Sequence, residues 1–151
     1  MNGKPRILVV DDDETIRESM STLLRREGYV VDTAETGKEA IAASTANFYN
    51  LAIIDIRLPD MEGVKLLTAI KETVPGIVKI IVTGYPSVET AINAVNNGAD
   101  GYLTKPFKSQ ELLDKVAEHL KKQEEAMKYS EQKVADFVRS RARELETATK
   151  T

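Results

Sequence analysis

The chain has 151 residues, 42% hydrophobic and 30% charged, enough for one domain with a proper core and too few for two of ordinary size. Its formal net charge of −3 argues against a basic nucleic-acid-binding face, so no direct nucleic-acid binding is expected. With no cysteine and His119 as its single histidine, disulfides, thiol catalysis and typical zinc sites are excluded.

Pro5 to Asp11 reads as the first strand, its apolar Ile7-Leu8-Val9-Val10 running into Asp11-Asp12-Asp13. Asp13 is the expected N-cap of a helix from about Glu14 to Glu27, with Ile16, Met20, Leu23 and Leu24 at helical spacing and Gly28 as its stop. Tyr29 to Thr33 is a short strand, Gly37 to about Ala46 a short helix, and Leu51 to Asp55 the most apolar strand and the expected centre of the sheet. A loop from Arg57 to Gly63 leads into a helix begun by Val64, Leu66, Leu67 and Ile70, broken at Pro75-Gly76. Val78 to Thr83 is a strand, and Ser87 caps a helix from about Val88 to Asn97. Tyr102 to Thr104 is the last strand, and Ser109 is expected to cap the final helix.

Five β-α alternations predict an α/β, doubly wound parallel sheet with right-handed crossovers. No Gly or Pro follows Pro106, so the last helix is expected to run well past a compact domain. Leu113, Leu120, Met127 and Val134 repeat every seven residues, a seam for a partner helix and a route to a homodimer. Gln123, Glu124, Ser130, Glu131 and Arg141 interrupt it. No apolar stretch approaches the roughly 20 residues of a membrane span, and Met1 to Pro5 lacks a signal-peptide apolar region. A cytoplasmic location without membrane insertion is the expectation.

In open α/β sheets, ligands sit outside the carboxyl ends of the strands. The four apolar strands end on Asp11-Asp12, Asp55, Thr83 and Lys105, which gathers carboxylates, a hydroxyl and an ammonium at one edge. Clustered carboxylates repel unless a cation sits among them, and Mg²⁺ suits oxygen donors: Asp11, Asp12, Asp55 and the backbone carbonyl of Arg57. Asp55 is the best-placed nucleophile for phosphorus, with Lys105 and the Thr83 hydroxyl ready to stabilise phosphoryl oxygens.

This arrangement resembles the receiver domain of two-component response regulators. The motifs are Asp11-Asp12, Asp55-x-x-x-Pro59-x-x-x-Gly63, Thr83-Gly84 and Lys105-Pro106-Phe107, spread over about residues 4–122. The resemblance implies a flavodoxin-like (βα)5 three-layer sandwich with strand order 2-1-3-4-5, a receiver domain over 1–122 and a C-terminal helical extension or linker over 123–151. It implies Asp55 as phospho-acceptor from a sensor histidine kinase and Mg²⁺ held by Asp12, Asp55 and the Arg57 carbonyl, assisted by Asp11. Thr83 and Tyr102 would be the switch pair, and Lys105-Pro106 a cis bond. Arg57 and Tyr85 occupy two positions that tune phosphoryl lifetime, and their bulk predicts a long-lived phosphate. The expected partners are the kinase and either a downstream effector protein or an output domain. Such a protein is a signalling switch that catalyses only its own phosphoryl transfer and loss.

Two other readings compete. Asp11-x-Asp13-x-Thr15 also resembles the first motif of haloacid-dehalogenase-type phosphatases, with Asp11 as nucleophile and Asp13 as acid/base. That order then needs an acidic strand end after Lys105, where no further strand is read. The other is a receiver-like scaffold that binds partners without being phosphorylated.

Overall fold

The computed structural model describes residues 3–74 and 76–149, so Pro75 of the expected helix break and Met1-Asn2 of the N-terminal segment lie outside the described residues. Its elements are β1 (Arg6–Val10), α1 (Glu14–Arg26), β2 (Val30–Ala34), α2 (Gly37–Ala46), β3 (Leu51–Asp55), α3 (Gly63–Thr73), β4 (Val78–Thr83), α4 (Val88–Asn96), β5 (Gly101–Thr104) and α5 (Ser109–Thr149). The five strands pair in parallel in the order β2-β1-β3-β4-β5, as expected.

Side chains alternate across a strand, so each apolar strand feeds two cores. Leu8, Val10, Ala52, Ile54 and Ile81 pack with Ala40 of α2, Leu66, Leu67 and Ile70 of α3 and Ala94 of α4. Ile7, Val9, Leu51, Ile53, Ile80 and Val82 pack with Met20 and Leu24 of α1 and with Leu112, Val116 and Leu120 of α5. Two cores on one sheet make the three-layer sandwich.

Local chemistry sets the element ends. The Asp13 side chain accepts the Ile16 N–H at 3.1 Å, which starts α1 as expected. Ser87 and Thr90 form a reciprocal capping box at the start of α4. Gly28 and Gly98 follow α1 and α4 at φ 94° and 97°, a left-handed conformation that glycine adopts without a Cβ penalty. Ser109 does not cap α5 but is its first helical residue; the Glu111 carboxylate instead accepts the Lys108 N–H at 3.3 Å.

The chain divides into two compact units, Met1–Leu120 and Lys121–Thr151. Within the first, Leu120 is buried in the core and Leu113 packs against it. These two residues serve the sheet and are not part of a free seam, which corrects the expectation that they face a partner helix. In the second unit Met127, Val134, Phe137, Val138 and Leu145 are exposed. Among the described residues, no helix is long and apolar enough to cross a membrane.

Candidate functional site

The parallel register carries the chemistry to one edge. Val10 pairs with Ile54, Asp55 with Val82, and Thr83 with Thr104, so Asp11, Asp55, Thr83 and Lys105 arrive at the carboxyl ends of neighbouring strands. Asp11 is fully buried, and Lys105 Nζ donates to its Oδ2 at 2.8 Å and to Asp55 Oδ2 at 3.2 Å. The other Asp11 oxygen accepts the Asp13 N–H at 2.9 Å, and Asp55 Oδ1 accepts the Arg57 N–H at 3.2 Å. Asp12 is exposed and completes a trio with Asp11 and Asp55, one oxygen of each lying within 4.8 Å of the others.

Burial raises the Asp55 carboxyl above its ordinary range, and the Asp11 charge pushes the same way. The Arg57 N–H and Lys105 oppose this without cancelling it. For Lys105, burial pulls downward, but the hydrogen bond and charge of Asp11, with those of Asp55, leave the ammonium raised overall. It therefore stays charged where a phosphoryl group would need it.

Thr83 is fully buried, and its Oγ1 accepts the Tyr85 N–H at 3.0 Å. Tyr102 packs against the core that includes Ile81 and Ala94, with its hydroxyl 3.2 Å from Thr90 Oγ1 of α4. Arg57 and Tyr85, each two residues past a site residue, meet: the guanidinium carbon lies 4.1 Å from the Tyr85 ring centroid. The Lys105-Pro106 bond is cis, as the resemblance implies.

The loop after Asp55 folds back on it. Gly63 N–H donates to the Ile56 carbonyl at 2.8 Å, and a Cβ at Gly63 would lie 2.4 Å from the Asp55 backbone oxygen. Only glycine fits this approach. Asp60 in the same loop accepts the Gly37 and Lys38 N–H groups at 2.8 and 2.9 Å, tying the loop to the start of α2. Those two bonds hold its carboxyl below the ordinary range.

Three residues here escape sequence reading. Asp60 is one, and Thr90 is another. The third is Arg17, buried on α1, whose Nη1 donates to the Asp11 backbone oxygen at 2.9 Å and Nη2 to Glu35 at 3.1 Å. The signal for Arg17 was its place on the stripe Arg17, Met20, Ser21, Leu24, which faces the core.

Comparison with known proteins gives the family. The model of the response regulator receiver domain matches residues 7–117. The chain belongs to the response regulator receiver family. This receiver is 36% identical over 113 residues to the probable transcriptional regulatory protein TcrX of Mycobacterium tuberculosis, covering 74% of the chain and 48% of that protein. A CheY-like receiver domain from Methanospirillum hungatei superposes with a TM-score of 0.80 at 45% identity, covering 82% of this chain and 99% of that one. A response regulator from Burkholderia pseudomallei, solved with a phosphorylated aspartic acid, a calcium ion and citrate, gives 0.70 at 32% identity, covering 73% and 65%. The receiver spans about half or less of the length of the curated relatives it matches, which include larger transcriptional regulators. Its membership sets aside the phosphatase reading, consistent with the Asp13 carboxylate being engaged as a helix cap.

Proposed function

We propose that this receiver is a cytoplasmic phosphorylation switch in a two-component pathway, with Asp55 accepting a phosphoryl group from a sensor histidine kinase. The observation that carries this reading is Lys105 Nζ between Asp11 and Asp55, an ammonium beside the carboxylate that would take the phosphoryl group. An Asp55 oxygen attacks phosphorus, an O–P bond forms, and the N–P bond of the phosphohistidine breaks as its imidazole leaves and takes up a proton. Lys105 neutralises one phosphoryl oxygen, and the Thr83 hydroxyl turns to another. The phosphorylated aspartic acid of the Burkholderia relative supports the chemistry.

Three carboxylates against one ammonium leave two negative charges in excess among hard oxygen donors, a set that fits Mg²⁺. Asp11, Asp12, Asp55 and the Arg57 backbone carbonyl would hold it, and when bound it supplies positive charge to phosphoryl oxygens. Rotation of Thr83 draws on its bond to the Tyr85 N–H, and Tyr102 follows as the second switch residue. The change alters contacts with a downstream effector or an output domain. Residues 1–122 act as the receiver and 123–151 as a helical extension or linker.

Intact mass after incubation with acetyl phosphate tests this directly. A Mg²⁺-dependent gain of one phosphate by the wild type, lost in Asp55→Asn, is the expected result. No gain in the wild type would favour the non-phosphorylated scaffold, and uptake surviving Asp55→Asn would place the acceptor elsewhere.

A further inference from the structure

The sheet stops holding the site together just where the site begins. The last ladder pair between β1 and β3 is Val10 with Ile54, and the cation donors lie beyond it. On the β1 side, the Asp11 N–H donates to the Ala34 carbonyl at 3.2 Å, toward β2. On the β3 side, Asp55 pairs with Val82 and the Ile56 N–H donates to the Val82 carbonyl at 3.2 Å, toward β4. The carboxylate edge thus has two halves whose backbones part. Lys105 spans them from inside, but the phosphoryl group claims its ammonium during the reaction.

A second connection runs around the outside, through the start of α2. On the first half, the buried Arg17 donates to the Asp11 backbone carbonyl at 2.9 Å and to Glu35 at 3.1 Å. That carbonyl belongs to the planar peptide unit leading into Asp12, so the bond fixes where Asp12 starts. Glu35 is joined to α2 through its N–H, which donates to the Glu39 carboxylate at 2.8 Å, and Thr36 beside it is the N-cap. On the second half, the loop after β3 is closed on itself by the Arg57–Glu62 bridge and by the Leu58 N–H on the Met61 carbonyl at 3.3 Å. Asp60 and the Arg57 carbonyl therefore move together. Asp60 accepts the Gly37 N–H at 2.8 Å and the Lys38 N–H at 2.9 Å, and Met61 fills the space a Cβ at Gly37 would need.

We propose that Arg17 and Asp60 are positioning residues for the divalent cation, acting in series through Glu35 and the first turn of α2 to set the spacing between the Asp11-Asp12 donors and the Asp55-Arg57 donors. The inference rests on the cation site of the proposed function. Mg²⁺ demands near-ideal octahedral geometry, so donor spacing bears directly on its affinity. Contacts that hold ligands in place before the ion arrives govern metal affinity without touching the ion. A tie in series fails as a whole when any link is cut.

Glu35→Ala and Asp60→Ala each cut the tie at an exposed residue, leaving the core intact. The Mg²⁺ dissociation constant of the full chain is read from the rise of Tm with Mg²⁺ concentration. Each single variant is expected to raise it about tenfold, the low end for such supporting contacts. The double variant is expected to raise it no further, because the second cut falls on a tie already open. Tyr49→Phe loses a bond near the amino ends of β1 and β3 and controls for stability alone. Its Tm should fall while its dissociation constant stays at the wild-type value. Single variants that bind Mg²⁺ as the wild type does would overturn the tie, as would an equal rise in Tyr49→Phe. Effects that multiply in the double variant would overturn action in series. A wild type whose Tm does not respond to Mg²⁺ would overturn the cation site itself and this inference with it.

Discussion

The Arg57 guanidinium carbon lies over the Tyr85 ring, 4.1 Å from its centroid, joining the loop after β3 to the loop after β4. Both residues are exposed, so the contact lies at the surface and is not part of the core. An exposed contact of this kind is worth about 0.5–1 kcal/mol. Removing either side is expected to shorten the aspartyl-phosphate half-life about two- to fivefold. The double variant should lose little more than either single one. Equal half-lives in wild type, Arg57→Ala and Tyr85→Ala would remove this contact from the account of lifetime.

Asp55 gives a pH prediction whose sign is fixed by its raised carboxyl. A raised folded-state pKa favours the folded state below the ordinary carboxylate value, and that contribution is lost as pH rises through the folded value. In buffer free of divalent ions, the wild type should therefore lose stability over that interval, whereas Asp55→Asn should lose less and melt higher at neutral pH. At about 100 times its Kd, Mg²⁺ should add about 2.7 kcal/mol to the wild type. Thermal melts of both proteins at several pH values, with and without Mg²⁺, check this. A lower Tm for Asp55→Asn at neutral pH would contradict it.

Gly63→Ala places a methyl group 2.4 Å from the Asp55 backbone oxygen and 2.9 Å from Ile56 Cα. Both obstacles are backbone, so the loop must move. The expected cost is about 1–3 kcal/mol in a urea titration, with slower phosphoryl uptake because the displaced atoms carry Asp55. An unchanged midpoint would mean that the loop yields without strain.

Tyr49 is fully buried, and its hydroxyl donates to Asp32 Oδ2 at 2.6 Å, an oxygen that Arg6 also holds at 2.7 and 3.0 Å. Burial and the Asp32 carboxylate push the Tyr49 hydroxyl up to about 12. Its contribution to stability is complete below the ordinary tyrosine value of about 10 and is lost as pH rises through about 12. Tyr49→Phe should destabilise the fold by about 1–2 kcal/mol near neutral pH and flatten the decline above pH 10. Chemical denaturation at pH 8 and pH 11 separates the two outcomes.

The fold was legible because buried parallel strands must be apolar on both faces, and Ile7 to Val10, Leu51 to Ile54 and Ile80 to Val82 announce themselves that way. Asp11, Asp55, Thr83 and Lys105 were legible because each sits just where such a run stops. Arg17 was not. Its place on the stripe with Met20, Ser21 and Leu24 was the one signal, and its partners, a backbone carbonyl and Glu35 18 residues away, leave no trace at helical spacing. Asp60 reads as an ordinary loop acid because its targets are the N–H groups of Gly37 and Lys38, 22 or more residues away. The seven-residue repeat misled at Leu113 and Leu120, since an apolar stripe looks the same whether it packs on its own sheet or on another helix. Ser109 lost the capping position because the helix begins one residue earlier, at Ser109 itself: Lys108 precedes it, its carbonyl accepting the Glu111 N–H and its own N–H donating to the Glu111 carboxylate.

The Thr90 hydroxyl oxygen is tied in two directions: it closes the first turn of α4 with Ser87 and meets the Tyr102 hydroxyl at 3.2 Å. Neither tie can be altered in private. A swing of the aromatic ring must drag that first turn along or leave the phenol to find water. The geometry thus turns a rotation about one side-chain bond on a strand into a choice imposed on a neighbouring helix, with a single hydroxyl as the hinge pin.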